Sequence, residues 1–335
     1  MLNVIVVADF PLEKTGIMSN VVGLLSPIGA ADFRLYSDQA ISVGTIKAEP
    51  MPTCELSGQT IIFTHLEYKR LAVLVAAIPH ATVHVGDWPG IYWNSVLKTG
   101  RWLKGIAAML RFRYRLAKLS CKTKLVFVSR EDTDAAIANG FTDSHYVPIG
   151  INPPSVQRRD TISLDQICFS GNFRYEPNRL AALALIKCLK NVSDVKLVFV
   201  GYYANDLREY DDGIELFDNV PSVVDFLATR RPVYVSLISI GAGAKNKILD
   251  AALAGCPIIC TTASLDASVL DLPSLKVISD DGDVEKMYFE IVNKAAEWNE
   301  TTEQVAEALA RTRSWPAISS LMFSNVCVVS QRDSK

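Results

Sequence analysis

Nothing in the sequence approaches 18 consecutive apolar residues, so no segment reads as a helix that crosses a bilayer. Histidine is scarce, four residues in 335, and no His and Cys residues stand at the spacing of a metal site. Net charge is nearly absent: 34 Lys+Arg against 36 Asp+Glu leave −2, which excludes a globally basic nucleic-acid binder. The first residues, MLNVIVVADF, lack a basic region and a small-residue cleavage site, and read as a strand rather than a signal peptide. The seven cysteines, at 54, 121, 168, 188, 256, 260 and 327, are odd in number and scattered. Even Cys256 and Cys260 have no second pair and no nearby His, which fits reduced, buried thiols in a cytoplasmic protein. Against these absences stands a 49% apolar share with 21% charged residues, enough for a large core and incompatible with general disorder. A chain of 335 residues is long for one domain and comfortable for two.

Short β-branched runs alternate with helical patterns throughout. Strands are expected at 3–9, 33–37, 60–65, 81–87, 124–129 and 145–150, then at 166–171, 196–201, 233–239, 257–262 and 275–279. Continuous apolar strands separated by helices, with hairpin signals nearly absent, predict an α/β protein of parallel sheets covered on both faces. The stretch INPPSVQRRDTISLD (151–165) combines two prolines, polar residues and no periodicity, and divides two halves of similar size. The expected organisation is a Rossmann-like domain over 1–152, a linker over 153–165, a second Rossmann-like domain over 166–312 and a helical C-terminal segment over 313–335. Two doubly wound sheets facing each other would place a ligand cleft at the carboxyl ends of their strands.

The most informative segment is SIGAGAKNKILDAALAGCPIICTT (239–262), which leaves a strand, passes a Gly-rich turn and enters a helix. A helix start after such a turn offers free N–H groups and the positive dipole end to a phosphate, and Lys245 and Lys247 add cations there. It lacks the third glycine of a dinucleotide fingerprint and the Ser or Thr after Gly-Lys of a triphosphate loop. An ordinary helix start with two solvated lysines is the plain alternative. The run resembles the donor-site signature of glycosyltransferase family 4 and related GT-B enzymes, the group 1 glycosyltransferases. FSGNFRYEPNRLAA (169–182), KLVFVG (196–201) and LVFVSREDTDAAIANGF…VPIGIN (125–152) resemble further family segments, in the family's order.

The resemblance implies two Rossmann-like domains facing across a cleft, with the nucleotide sugar on the second domain, the acceptor on the first, and a final helix crossing back to the first. It assigns Gly16, Gly171, Asn172, Arg174, Gly243, Lys245, Lys247 and Asp250 to donor binding. The sequence also departs from the family pattern. Asp250 stands where a glutamate is usual, and Ala242 takes the place of an earlier acid in the loop. Asn172 replaces an arginine, for which Arg174 is the nearest substitute. A carboxylate at position 250 would still accept two bonds from a ribose diol. No metal or other cofactor is expected, because GT-B enzymes hold the leaving diphosphate with helix dipoles and cations; the acids of DDGD (280–283) read as a solvated loop.

In the first half, HVGDWPGIYW (84–93) concentrates His84, Asp87 and two tryptophans at a strand's carboxyl end. Asp87 is the candidate general base if the reaction inverts; if it retains, Asp87 or His84 would position groups. The plain alternatives are a capping Asp and a core His. From Trp88 to Arg130 there is no acidic residue, yet ten of the 34 Lys+Arg fall there. Arg101, Lys104, Arg111, Arg115, Lys118 and Lys122 recur at helical spacing, with Trp102, Ile106, Met109 and Leu116 as a second stripe. Arg111, Arg115 and Lys118 are expected to contact an anionic membrane or a lipid-linked acceptor, with Trp102, Phe112 and Tyr114 at the headgroup level. The whole reads as a cytoplasmic, peripheral glycosyltransferase that uses a nucleotide sugar, not a nucleic acid. A nucleotide-sugar epimerase and a non-catalytic nucleotide-sugar module are the competing readings.

Overall fold

The structure, a computed structural model, describes residues 1–12, 16–52, 56–98, 102–189, 192, 195–211, 213–239, 246–265, 269 and 271–326. It divides into two compact units. The first is built on Met1–Gly150 and the segment from Arg313, the second on residues between 151 and 312.

In the first unit the apolar runs form β1 (Leu2–Val6), β2 (Phe33–Ser37), β5 (Thr60–Thr64), β6 (Thr82–Val85), β7 (Lys124–Phe127) and β8 (Ser144–Tyr146), between which a short hairpin of β3 (Ser42–Val43) and β4 (Ile46–Lys47) intervenes. The six longer strands make one parallel sheet in the order β2-β1-β5-β6-β7-β8. Helices α1 (Gly16–Leu25), α2 (Leu71–Ala77), α3 (Pro89–Lys98), α4 (Trp102–Leu116) and α5 (Arg130–Ala138) connect them. Every residue of β1, β5 and β6 is buried, as strands covered on both faces must be. The hairpin is the one antiparallel pair among the described strands. Its turn rests on Gly44 at φ +58°, a left-handed conformation that glycine adopts without strain.

The second unit repeats the plan. Strands β9 (Ser163–Ser170), β10 (Lys196–Gly201), β11 (Glu215–Asp218), β12 (Pro232–Ser236), β13 (Ile258–Thr261) and β14 (Leu275–Ile278) form a parallel sheet in the order β11-β10-β9-β12-β13-β14. Helices α6 (Glu176–Leu189), α7 (Val223–Arg230), α8 (Asn246–Leu253), α9 (Asp283–Asn293) and α10 (Ala295–Thr312) accompany it. The strand order reverses between β9 and β12, which opens a crevice at their carboxyl ends. Strand β9 begins at Ser163, so the last three residues of the expected linker 153–165 belong to the sheet. Strand β11 was not among the expected strands; it is a four-residue edge strand, half-buried throughout.

The C-terminal helix α11 (Trp315–Leu321) belongs to the first unit. It packs on α1, where Ser319 Oγ donates to the carbonyl of Leu24 at 2.8 Å. The Trp315 ring lies so near Gly23 and Gly150 that a Cβ on either would fall 2.1 Å or 2.3 Å from it.

Arg231 is the polar anchor of the second unit. It ends α7 in the left-handed region at φ +46° and is 1% exposed. Its Nη1 donates to the carbonyls of Arg159 and Asp160, both at 2.8 Å, its Nε to Gly255 O at 3.1 Å and its Nη2 to Thr302 Oγ1 at 3.0 Å. Glu303 lies 3.7 Å away, and burial lowers the guanidinium's proton affinity from the usual arginine range. One side chain thus ties residues 159–160, the turn after α8 and helix α10 together. Arg231→Leu strips buried acceptors of their donor and should cost about 3 kcal/mol or more. Urea denaturation checks this, and an unchanged midpoint would show the contacts to be dispensable.

Candidate nucleotide-sugar site

The crevice of the second unit gathers its polar groups around the end of β9. Ser170, its last residue, shares a 2.8 Å hydrogen bond with the hydroxyl of the buried Tyr234 on β12, and the Ser170 N–H also points to that hydroxyl at 3.3 Å. Gly171 follows. A Cβ here would come 2.8 Å from Asn178 Nδ2. The neighbouring β10 ends on Gly201 at φ +130°, where a Cβ would lie 2.2 Å from the Gly171 carbonyl. Both positions demand glycine, one for closeness and the other for closeness and conformation.

Asn178, buried in the first turns of α6, organises this corner. Its Nδ2 donates to the carbonyl of Asn172 at 2.9 Å, and its Oδ1 accepts from Lys247 Nζ at 2.5 Å. The Lys247 ammonium also lies 5.7 Å from the Phe169 ring centre. Lys247 therefore reaches from the start of α8 across to β9, so that helix start, ammonium and glycine turn converge. Asn172 is exposed, and its Oδ1 accepts from the Arg174 N–H at 3.1 Å. Arg174 points elsewhere: its Nε pairs with Asp206 at 2.9 Å and its guanidinium stacks 3.8 Å above the Tyr203 ring. Gly243 and Lys245 lie outside the described residues, and Gly16 opens α1.

Asp250, one turn beyond Lys247 on α8, has its carboxyl pushed up to about 7 by burial, which the Lys247 charge only partly offsets. Asp250 in turn adds to the burial that holds the Tyr234 hydroxyl far above its usual range.

In the first unit, Asp87 sits exposed in the turn between β6 and α3. That turn is pinned from below by Asp132, a fully buried residue of α5. Its Oδ1 accepts from the Trp88 N–H at 2.9 Å and its Oδ2 from Ser129 Oγ at 2.5 Å. His84 does not join Asp87. It is 3% exposed inside β6, 4.9 Å from the Phe63 ring, and burial drives its pKa down to about 4. His84 is enclosed in the sheet, away from the exposed turn that carries Asp87, as in the plain alternative of a core histidine.

The basic stripe needs correction too. Arg111 and Lys118 are exposed, but Arg115 is half-buried and donates to the carbonyl of Glu67. Phe112, expected at a headgroup level, is buried and meets Trp88 edge-on at 5.3 Å. Met109 and Leu116 pack on the core beside it. Asn178 and Asp132 were missed altogether. Asn178 had a signal in the Tyr-x-Pro-Asn helix start, and Asp132 in the Ser129–Asp132 spacing of a helix cap.

Solved structures share this architecture. Anabaena Alr3699/HepE in complex with UDP-glucose superposes with a TM-score of 0.69 at 10% identity, over 97% of this chain and 99% of that one. WaaG, a glycosyltransferase involved in lipopolysaccharide biosynthesis, gives 0.63 at 14% identity over 96% and 99%. An E. coli structure described as trehalose-6-phosphate bound with UDP-2-fluoro glucose gives 0.61 at 11% identity over 98% and 99%. The fold is therefore GT-B. Residues 165–293 match the family described as Glycosyl transferases group 1. No curated protein matches the chain in sequence.

The raised Asp250 carboxyl carries a stability signature. The folded chain keeps a proton that the unfolded chain, with an ordinary aspartate near 3.8, has released. The group therefore subtracts stability as pH rises from about 4 to about 7. Asp250→Asn should flatten the stability–pH curve in that window and leave the variant more stable than wild type above pH 7. Urea titrations showing equal slopes would mean that the carboxyl ionises normally.

Proposed function

We propose that the protein transfers a sugar from a nucleoside diphosphate sugar, held by the second unit, to an acceptor held by the first. The observation that carries this is the Lys247 ammonium, fixed by a buried amide beside a glycine turn and a helix start, within the segment that matches a glycosyltransferase family. A cation at a helix start so placed suits a diphosphate, which must be stabilised as it leaves. Asp250 is the proposed partner of the ribose hydroxyls, and its proximity to Lys247 keeps the two groups in one charge system. The leaving group is held by these residues rather than by a metal, so transfer should survive chelation with EDTA. Gly171 and Asn172 are the proposed backbone contacts to the donor.

On the acceptor side Asp87 is the remaining candidate for base or positioning work, and Asp132 fixes the turn that presents it. The proposed acceptor is a saccharide or lipid-linked saccharide of bacterial surface polysaccharide synthesis, reached from the cytoplasmic face of the membrane. No described helix is long and apolar enough to span a bilayer, so any membrane association would be peripheral.

Two measurements test the reading. With UDP as probe, Lys247→Ala should weaken binding by about ten- to a hundredfold, the loss of one charge-assisted bond. Asn178→Ala should weaken it as well but add little on top of Lys247→Ala, because it acts through the lysine. Calorimetry with unchanged affinity in Lys247→Ala would sink the donor assignment. Asp87→Asn should leave UDP affinity near wild type while sugar transfer falls by about 10² or more. Release of sugar to acceptor by wild type separates transfer from epimerisation and from mere binding.

A further inference from the structure

Residues 153–160 lie at the start of the second unit and, with helix α10, enclose a cavity of about 480 Å³. That is within the size range of small-molecule sites, about 300–1,000 Å³. Arg159, which lines it, donates from Nη1 to Ser163 Oγ at 2.7 Å, and Ser163 is the first residue of β9. The corner around Lys247 lies at the other end of that eight-residue strand, about 23 Å away at about 3.3 Å per residue. The cavity is thus separate from the candidate donor site. Its wall is also fixed. The Ser155 N–H and Oγ both donate to Asp225 of α7, at 2.7 and 2.6 Å. The Arg159 N–H donates to Ala228 O at 3.0 Å, and Arg231 holds the carbonyls of Arg159 and Asp160. A ligand would therefore not have to order this segment in order to bind.

The lining decides what kind of ligand fits. Pro153, Pro154 and Val156 supply apolar surface, while Arg158, Asn299 and Glu303 are half-buried polar groups. Charge cancels, because Arg158 and Arg159 stand against Asp160 and Glu303. Arg158 is already paired with Glu303, and Glu303 also lies 3.7 Å from the buried Arg231. A phosphate or carboxylate would have to displace Glu303 and then share the cavity with it. A hydroxyl both donates and accepts, so it can join a guanidinium–carboxylate pair without breaking it. Asn299 leaves the lining short of a donor: its Nδ2 donates to the Asp160 carbonyl at 3.0 Å, but its buried Oδ1 has no partner among the described residues. Several hydroxyls on one rigid frame, with C–H faces for the prolines and Val156, match this lining.

We infer that the cavity between residues 153–160 and α10 is a second, non-catalytic site for a neutral saccharide. Arg158, Glu303 and Gln157 bond its hydroxyls, and Pro154 and Val156 meet its apolar face. The sugar held there is not the one that reacts at the crevice; the site retains a saccharide at the opposite end of the sheet. This goes beyond the proposed function and needs none of its donor assignments.

The test uses the full-length chain and saturation-transfer NMR with glucose, galactose, N-acetylglucosamine, maltose, cellobiose and lactose, the crevice being occupied by UDP. Wild type should bind at least one of these sugars. Arg158→Ala should weaken that binding by about tenfold or more, with UDP affinity unchanged. Gln157→Ala, at an exposed position where the fold is not at stake, should weaken it by a smaller factor. Inorganic phosphate should not compete. Lys247→Ala should leave saccharide binding intact, so the donor reading and this one fail separately. The inference is overturned if wild type binds none of the sugars, if both cavity variants bind as tightly as wild type, or if phosphate displaces the sugar.

Discussion

The geometry of the second unit's crevice depends on the contact between Lys247 and Asn178. A half-buried ammonium is costly unless its charge finds polar partners, and a buried amide is costly unless both its ends do. Each residue meets the other's need at 2.5 Å, while the far end of the amide closes onto the Asn172 carbonyl. Helix α6, helix α8 and the turn after β9 are thereby set by one side chain. The glycines at 171 and 201 let the turn and the end of β10 come close enough for the arrangement to exist. That this happens where the strand order reverses is a consequence of topology: β10 and β12 leave β9 on opposite sides, and their connections diverge above it.

Much of this was legible in the sequence. Strands at 33–37 and 196–201 match their expected bounds, because short runs of aromatic and aliphatic residues ending in serine or glycine leave little choice of element or limits. Lys247 stood out for a different reason, its place at the helix start after a Gly-rich turn, and the structure turns it to a buried amide rather than to solvent. Strand β11 was hidden because an edge strand buries only half its surface and so needs only a few apolar residues. The hairpin of β3 and β4 escaped because two-residue strands carry no period to detect.

The residues misjudged share a physical cause. Spacing along a chain gives a face but not its neighbour. His84 looked catalytic from its place near the end of a strand, yet both faces of β6 are covered. Phe112 and Tyr114 are two positions apart on α4, about 200° around the helix, and one faces the core while the other faces water. Arg115, counted with the basic stripe, turns to a backbone carbonyl. Asn178 and Asp132 show the converse: each has a local signal, a helix start in one case and a helix cap in the other, but the partners that give them weight, Lys247 and Trp88, are distant in sequence.

Helix α11 has a consequence for synthesis. The second unit draws on residues between 151 and 312, so all of it is translated before Trp315 is added. The first unit, although its sheet is translated earliest, cannot fill the space beside Gly23 and Gly150 until that ring arrives. The half of the chain that is born first is therefore finished last. Until then the face of α1 around Gly23 lacks its cover, and helix α11 is what supplies it.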